Sequence, residues 1–145
     1  MILPKGITGF HEKYNDIEVI NPKLFKKICY EFIQEYPAVV LSIDTSLTNK
    51  NFYVFEILHN NAHIYILMNV YYPYFTFASS INDNITFIDI PNMSKSVLMK
   101  YEWLNKNQLN ESCKDSLNLL SPVELEQIHY WKPQTIGEII YNYWD

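Results

Sequence analysis

Apolar residues recur along this chain with two distinct periods, and each period predicts a different kind of element. After Asn21 and Pro22, residues Leu24, Phe25, Ile28, Cys29, Phe32 and Ile33 return at spacings of three and four, while Lys23, Lys26, Lys27, Glu31, Gln34 and Glu35 fill the other side. Asparagine before proline is a helix start, with a capping side chain followed by a residue whose missing N–H costs nothing at the first position. The spacing predicts an amphipathic helix over about 22–35, ended near Pro37.

From 38 to 90 the period shortens to that of strands, in segments 38–47, 52–59, 63–71, 75–78 and 85–90 separated by polar breaks at 48–51 and 60–61. An antiparallel meander is the natural connection for segments so close together. Val39, Leu41 and Ile43 alternate with Ser42 and Asp44, and Tyr53, Phe55 and Ile57 alternate with a side that includes Glu56, so one face is core. The opposite face is mixed, because Val54, Leu58, Tyr65 and Leu67 are not solvent residues, and it is either covered by a helix or used as a contact surface.

Helical spacing returns after Pro91. Val97, Leu98, Tyr101 and Leu104 predict a helix within 94–107, and 105–116 reads as loop. Ser121-Pro122-Val123-Glu124 then combines a cap, a first-position proline and a capping-box glutamate, predicting a helix from 122 to about 130. The same grammar repeats at Thr135 and Glu138, opening a last helix with Ile136, Ile139, Ile140 and Tyr143 as its apolar face. Residues 1–20, with Pro4, Gly6 and Gly9, read as an extended arm docked through Ile7 and Phe10. The expected fold is therefore α+β: a mainly antiparallel sheet of four or five strands flanked by an N-terminal helix and C-terminal helices.

Composition narrows the function more than the fold. At 145 residues the chain is one domain, 1–145, and 48% hydrophobic residues suffice for a folded core. The net charge is −5 and Lys plus Arg total 11, so the electrostatic footprint of a nucleic-acid binder is missing and a charged partner is expected to be basic. No stretch approaches the roughly 20 apolar residues of a membrane span. The opening residues lack the basic-then-apolar run of a signal peptide, which predicts a cytoplasmic protein. Cys29 and Cys113 have no metal-ligand spacing and read as two reduced thiols.

Candidate chemistry is sparse. His59 and His63 are four apart, but Asn60-Asn61 marks a hairpin turn between them, so the helical geometry of a metal pair is missing and a turn-flanking surface pair is the preferred reading. His11 and His129 are isolated. Cys29 lies on the apolar stripe of the first helix and Cys113 in a polar loop, neither with a positioned base. Three glycines leave no phosphate-cradling loop, so no cofactor, metal or catalytic residue is assigned. The aromatic run from Tyr71 through Tyr72 and Tyr74 to Phe77 has no interleaved cation, which favours core and edge aromatics, or a protein interface, over base stacking. Asp44, Glu56, Asp83 and Asp89 lie on or between strands, either as solvated face residues or as a surface for a basic partner.

The two ends of the chain carry a resemblance. Leu3-Pro4-Lys5-Gly6-Ile7-Thr8-Gly9-Phe10 and the closing segment from Leu125 to Asp145, with its Trp131-x-Pro133-x-Thr135-Ile136-Gly137-Glu138-Ile139-Ile140 run, resemble small bacterial immunity proteins of contact-dependent growth inhibition and related polymorphic toxin systems. Physically these residues read as structural, with Thr135 and Glu138 capping a helix and Trp131 and Trp144 as large core or seam residues. The resemblance implies a non-enzymatic inhibitor forming a 1:1 heterodimer with a basic toxin domain, commonly a nuclease and here taken as an RNase, with the active site blocked. The expected toxin interface is Asp44, Glu56, Tyr65, Tyr71, Tyr72, Tyr74, Asp83 and Asp89. Two other readings stay open: a small enzyme using His59 and His63, or an interaction adaptor using the aromatic strand edge.

Overall fold

The computed structural model describes residues 1–12, 18–82, 84–91, 93 and 100–144. Helix α1 spans Pro22–Glu35, with the Asn21 side chain accepting from the Lys23 N–H at 2.9 Å. Its stripe buries Phe25, Ile28, Cys29 and Phe32 at 0–2% exposure, and burial of each larger side chain contributes about 2 kcal/mol. Strands β1 (Val39–Asp44), β2 (Phe52–His59), β3 (Ala62–Asn69), β4 (Tyr74–Ser80) and β5 (Thr86–Ile88) form the expected antiparallel meander in the order β1-β2-β3-β4-β5. Asn60 and Asn61 both take positive φ, 49° and 64°, the geometry of a two-residue turn whose twist matches the flanking strands.

Three later elements depart from expectation. Of the helix expected over 94–107, residues 94–99 lie outside the described residues, while Glu102–Trp103 forms a short strand, β6, parallel to β4 beside Tyr74 and Phe75. The periodicity misleads here because Leu104 is buried by sheet contact, its N–H donating to the Phe75 carbonyl at 2.9 Å. The expected loop 105–116 opens with α2 (Lys106–Leu109), closed by a capping box in which Asn105 and Gln108 satisfy each other's backbone. Helix α3 (Pro122–Trp131) begins as expected. Helix α4 (Ile136–Ile140) ends before Tyr143, which is 40% exposed and does not belong to the helix's apolar face.

The sheet is covered on both sides. Cross-strand partners share a face, and Phe55, Ile57, Ile66, Met68, Phe75 and Phe77 meet α1 on one side. Val54, Leu67, Ala78 and Phe87 meet Leu3, Ile7, Leu109, Ile136, Ile139, Ile140 and Tyr141 on the other. The mixed face is thus a second core, built by the two ends of the chain. Three buried asparagines lock it. Asn69 donates to the Ile7 and Ile140 carbonyls and accepts from the Tyr71 and Tyr72 N–H groups. Asn51 donates to Ile7 and accepts from the Asn142 N–H, and Asn142 donates to Thr8 and Ile139. Cys113, placed by its sequence in a polar loop, is 5% exposed with its thiol donating to the Pro133 carbonyl.

Candidate partner-binding surface

The terminal layer stops short of β1. On the face opposite α1, register rows run Ser42, Glu56, Tyr65 and Asp44, Val54, Leu67 across the first three strands. Val54 and Leu67 are buried, but Ser42 and Asp44 are exposed and Glu56 and Tyr65 half-buried. The uncovered rows form a hollow of about 320 Å³ lined by Ser42, Asp44, Lys50, Glu56, Tyr65 and Tyr143. Three residues expected in an interface therefore share one concavity, because alternation along β1 and β2 and direct pairing with β3 put them on a single face.

The charges in this hollow are unevenly answered. Lys50 Nζ lies 2.9 Å from Asp44 Oδ2, and the Ser46 N–H donates to Asp44 Oδ1 at 2.8 Å. The Lys50 hydrogen bond, with that of Ser46, holds the Asp44 carboxyl below its ordinary range. Glu56 has His63 beside it, whose Nδ1 is 3.7 Å from Glu56 Oε2, and its carboxylate is hydrogen-bonded by the Tyr65 phenol. Burial, with the adjacent Glu56 carboxylate, raises the Tyr65 phenol, and burial with Asp44 raises that of Tyr143, which donates to the Ile81 carbonyl at 2.7 Å. A carboxylate and a neutral phenol side by side can accept from a guanidinium or ammonium group. Among the described residues no group of three or more His, Cys, Asp or Glu is placed to hold a metal ion.

Of the other expected interface residues, Tyr71, Tyr72, Tyr74 and Asp89 make contacts within the fold. Tyr71 packs on the arm: a Cβ on Gly9, whose φ is 88°, would lie 3.2 Å from the Tyr71 ring, and the His11 ring meets it edge-on at 4.9 Å. Tyr72 stacks on Tyr74 at 5.8 Å and its hydroxyl donates to the Lys5 carbonyl, while the Tyr74 carbonyl accepts from the Tyr141 hydroxyl. Asp89 accepts from the Lys106 N–H at 3.0 Å. Asp83 lies outside the described residues.

The histidine pair does not converge. His59 pairs with Ala62 and His63 with Leu58, so successive positions turn the two rings to opposite faces of the sheet. His59 stacks on Tyr36 at 4.0 Å and its Nδ1 donates to the Pro37 carbonyl; His63 faces Glu56. Sequence reasoning assigned none of Ser42, Lys50 and Tyr143 to an interface: Lys50 arrives from a loop with no periodicity, and the helical period that puts Tyr143 on an apolar face stops at Ile140. A second hollow of about 400 Å³ lies beside α4, where Trp131 stacks on Trp144 with an interplanar angle of 3° and Phe87 fills the space over Gly137. No protein-family model, curated protein or solved structure matches this chain. Among the described residues no helix is long and apolar enough to cross a membrane.

Proposed function

We propose that this chain is a cytoplasmic immunity protein that binds a basic toxin domain stoichiometrically and blocks its active site, with no catalysis of its own. The observation that carries this reading is the convergence of Asp44, Glu56 and Tyr65 in one uncovered concavity of a chain whose net charge is −5. Such a surface offers carboxylate and phenol oxygens where a nuclease active site presents the cations that hold substrate phosphates, and RNA is the substrate class we assign to that nuclease. The resemblance of both chain ends to immunity proteins supports the same reading, and those ends form the layer behind the hollow, with Tyr143 reaching its lining. Steered association between opposite charges makes the on-rate fall with salt.

Calorimetric titration against the C-terminal toxin domain encoded by the neighbouring gene, at low and moderate salt, tests it. The expected result is 1:1 binding at nanomolar Kd or tighter, about −12 kcal/mol or stronger, with RNA cleavage by the toxin domain suppressed at equimolar ratio. Absence of binding overturns the pairing, and binding without loss of cleavage overturns inhibition.

A further inference from the structure

Among the described residues no further strand pairs with the edge beside this hollow. Strand β1 ends the sheet and, among the described residues, pairs only with β2. Val39, Val40 and Leu41 are 61%, 37% and 42% exposed, an unusual amount of β-forming apolar surface for a free edge. Natural edges are commonly blunted by lysine, proline, a bulge or a covering loop. The segment Val39–Asp44 contains neither of those residues. It does carry a register shift between Val40 and Ser42 that leaves Leu41 without a partner in β2, and regular pairing resumes over Ser42–Asp44.

We propose that β1 receives an extended segment of a basic partner as an added strand, main chain to main chain, with cationic and apolar side chains alternating along the segment. This rests on the inhibitor reading above and names the part of the toxin that would be held. The alternation follows from the register. Ser42 and Asp44 pair with Glu56 and Val54, so side chains of an added strand on that face meet the carboxylates. Val40 and Ile43 pair with Ile57 and Phe55 on the α1 side, where Ile43 packs against the core, so side chains on the other face meet apolar surface. Backbone pairing supplies affinity and the alternate side chains supply selectivity. A second copy of the chain fits this edge less well, because it brings its own carboxylates to Asp44 and Glu56 and repeats the net charge of −5.

Two parallel measurements test the inference: fluorescence anisotropy with a labelled peptide of alternating lysine and valine against its glutamate-valine counterpart, and hydrogen exchange of residues 39–44 with and without the toxin domain. The lysine peptide is expected to bind at least about tenfold more tightly than the glutamate peptide, and exchange within β1 to slow on addition of either the lysine peptide or the toxin domain. Leu41→Pro, which places a residue without an N–H at the position that has no register partner in β2, is expected to weaken lysine-peptide binding about tenfold or more, with circular dichroism checking the fold. Wild-type exchange carries the test if that variant does not fold. Toxin binding without protection of 39–44 overturns the added strand and leaves the inhibitor reading standing. Peptide binding with protection, but no toxin binding, does the reverse. Failure of both peptides, equal binding of both, or a concentration-dependent dimer that Leu41→Pro abolishes also overturns it, the last by giving the edge to a second copy.

Discussion

The Thr8 hydroxyl donates to Glu124 Oε2 at 2.6 Å across 116 positions of sequence, and with it the opening arm is tied to the start of α3. The same carboxylate accepts from the N–H groups of Gly6 and Thr8 and, as a capping-box residue, from that of Ser121. Glu124 is fully buried, so these donors replace water completely around its charge.

Glu124→Ala leaves that set of donors unpaired in a closed site and is expected to destabilise the protein by about 3 kcal/mol, read as a shift of the urea midpoint. Glu124→Gln keeps the shape but turns two acceptor positions into donors facing donors, and is expected to recover less than half of the loss. A loss below about 1 kcal/mol for the alanine variant would show that the arm is anchored elsewhere.

Asn142→Asp tests the asparagine lock in the opposite sense. The side-chain NH₂ of Asn142 donates to the Thr8 and Ile139 carbonyls, and a carboxylate there would face two acceptors in a buried site. A loss of about 3 kcal/mol is expected at neutral pH, partly relieved at low pH where the introduced acid is protonated. Equal stability at both pH values would refute this account.

Gly137 is held small by contact. A Cβ there would lie 2.4 Å from Phe87 Cε2 and 3.0 Å from the Leu109 carbonyl oxygen. Gly137→Ala is expected to cost about 2 kcal/mol, and less when combined with Phe87→Leu, since the two changes share one clash. Additive losses in thermal or chemical melts would place the constraint in the backbone instead.

Charge changes in the hollow separate binding from stability. Asp44→Lys with Glu56→Lys is expected to weaken toxin binding by about tenfold or more, and Glu56→Lys alone to weaken it while changing the unfolding free energy by less than about 1 kcal/mol, because of the two carboxylates it is Asp44 that holds Lys50, whose side chain is 10% exposed. Unchanged affinity in the titration would move the epitope off this face.

The Asp44–Lys50 pair also has a pH signature. Lys50 holds the Asp44 carboxyl below its ordinary value, so the folded state binds that proton less readily than the unfolded chain. The pair therefore contributes stability above the unfolded carboxyl value of about 4 and loses it as pH falls through the lower, folded value. With half of the Asp44 side chain exposed, the effect is expected to be small. Lys50→Met should flatten acid unfolding curves below about pH 4; an unchanged acid slope would remove the pair from the balance.

What the sequence by itself determined is local. Asn21 with Pro22 and a 3.6-residue period set α1; Ser121, Pro122 and Glu124 set the start of α3; Asn60-Asn61 set the β2–β3 turn. Each depends on φ/ψ preference, capping chemistry and amphipathic period, all of which act within a few residues. The α+β class followed from the order of those elements. Only the tertiary structure decided which faces meet. The shift at Leu41 puts Val39 on the carboxylate face and Val40 on the α1 face, and pairing with β4 draws Glu102–Trp103 into the sheet. Lys50 reaches the hollow from a loop with no periodicity and Tyr143 from beyond the end of α4, and Glu124, legible as a cap, becomes the anchor of an arm more than a hundred residues away. Register, burial and charge pairing of that kind depend on contacts between distant segments, whose free energy exists only once the chain has closed on itself.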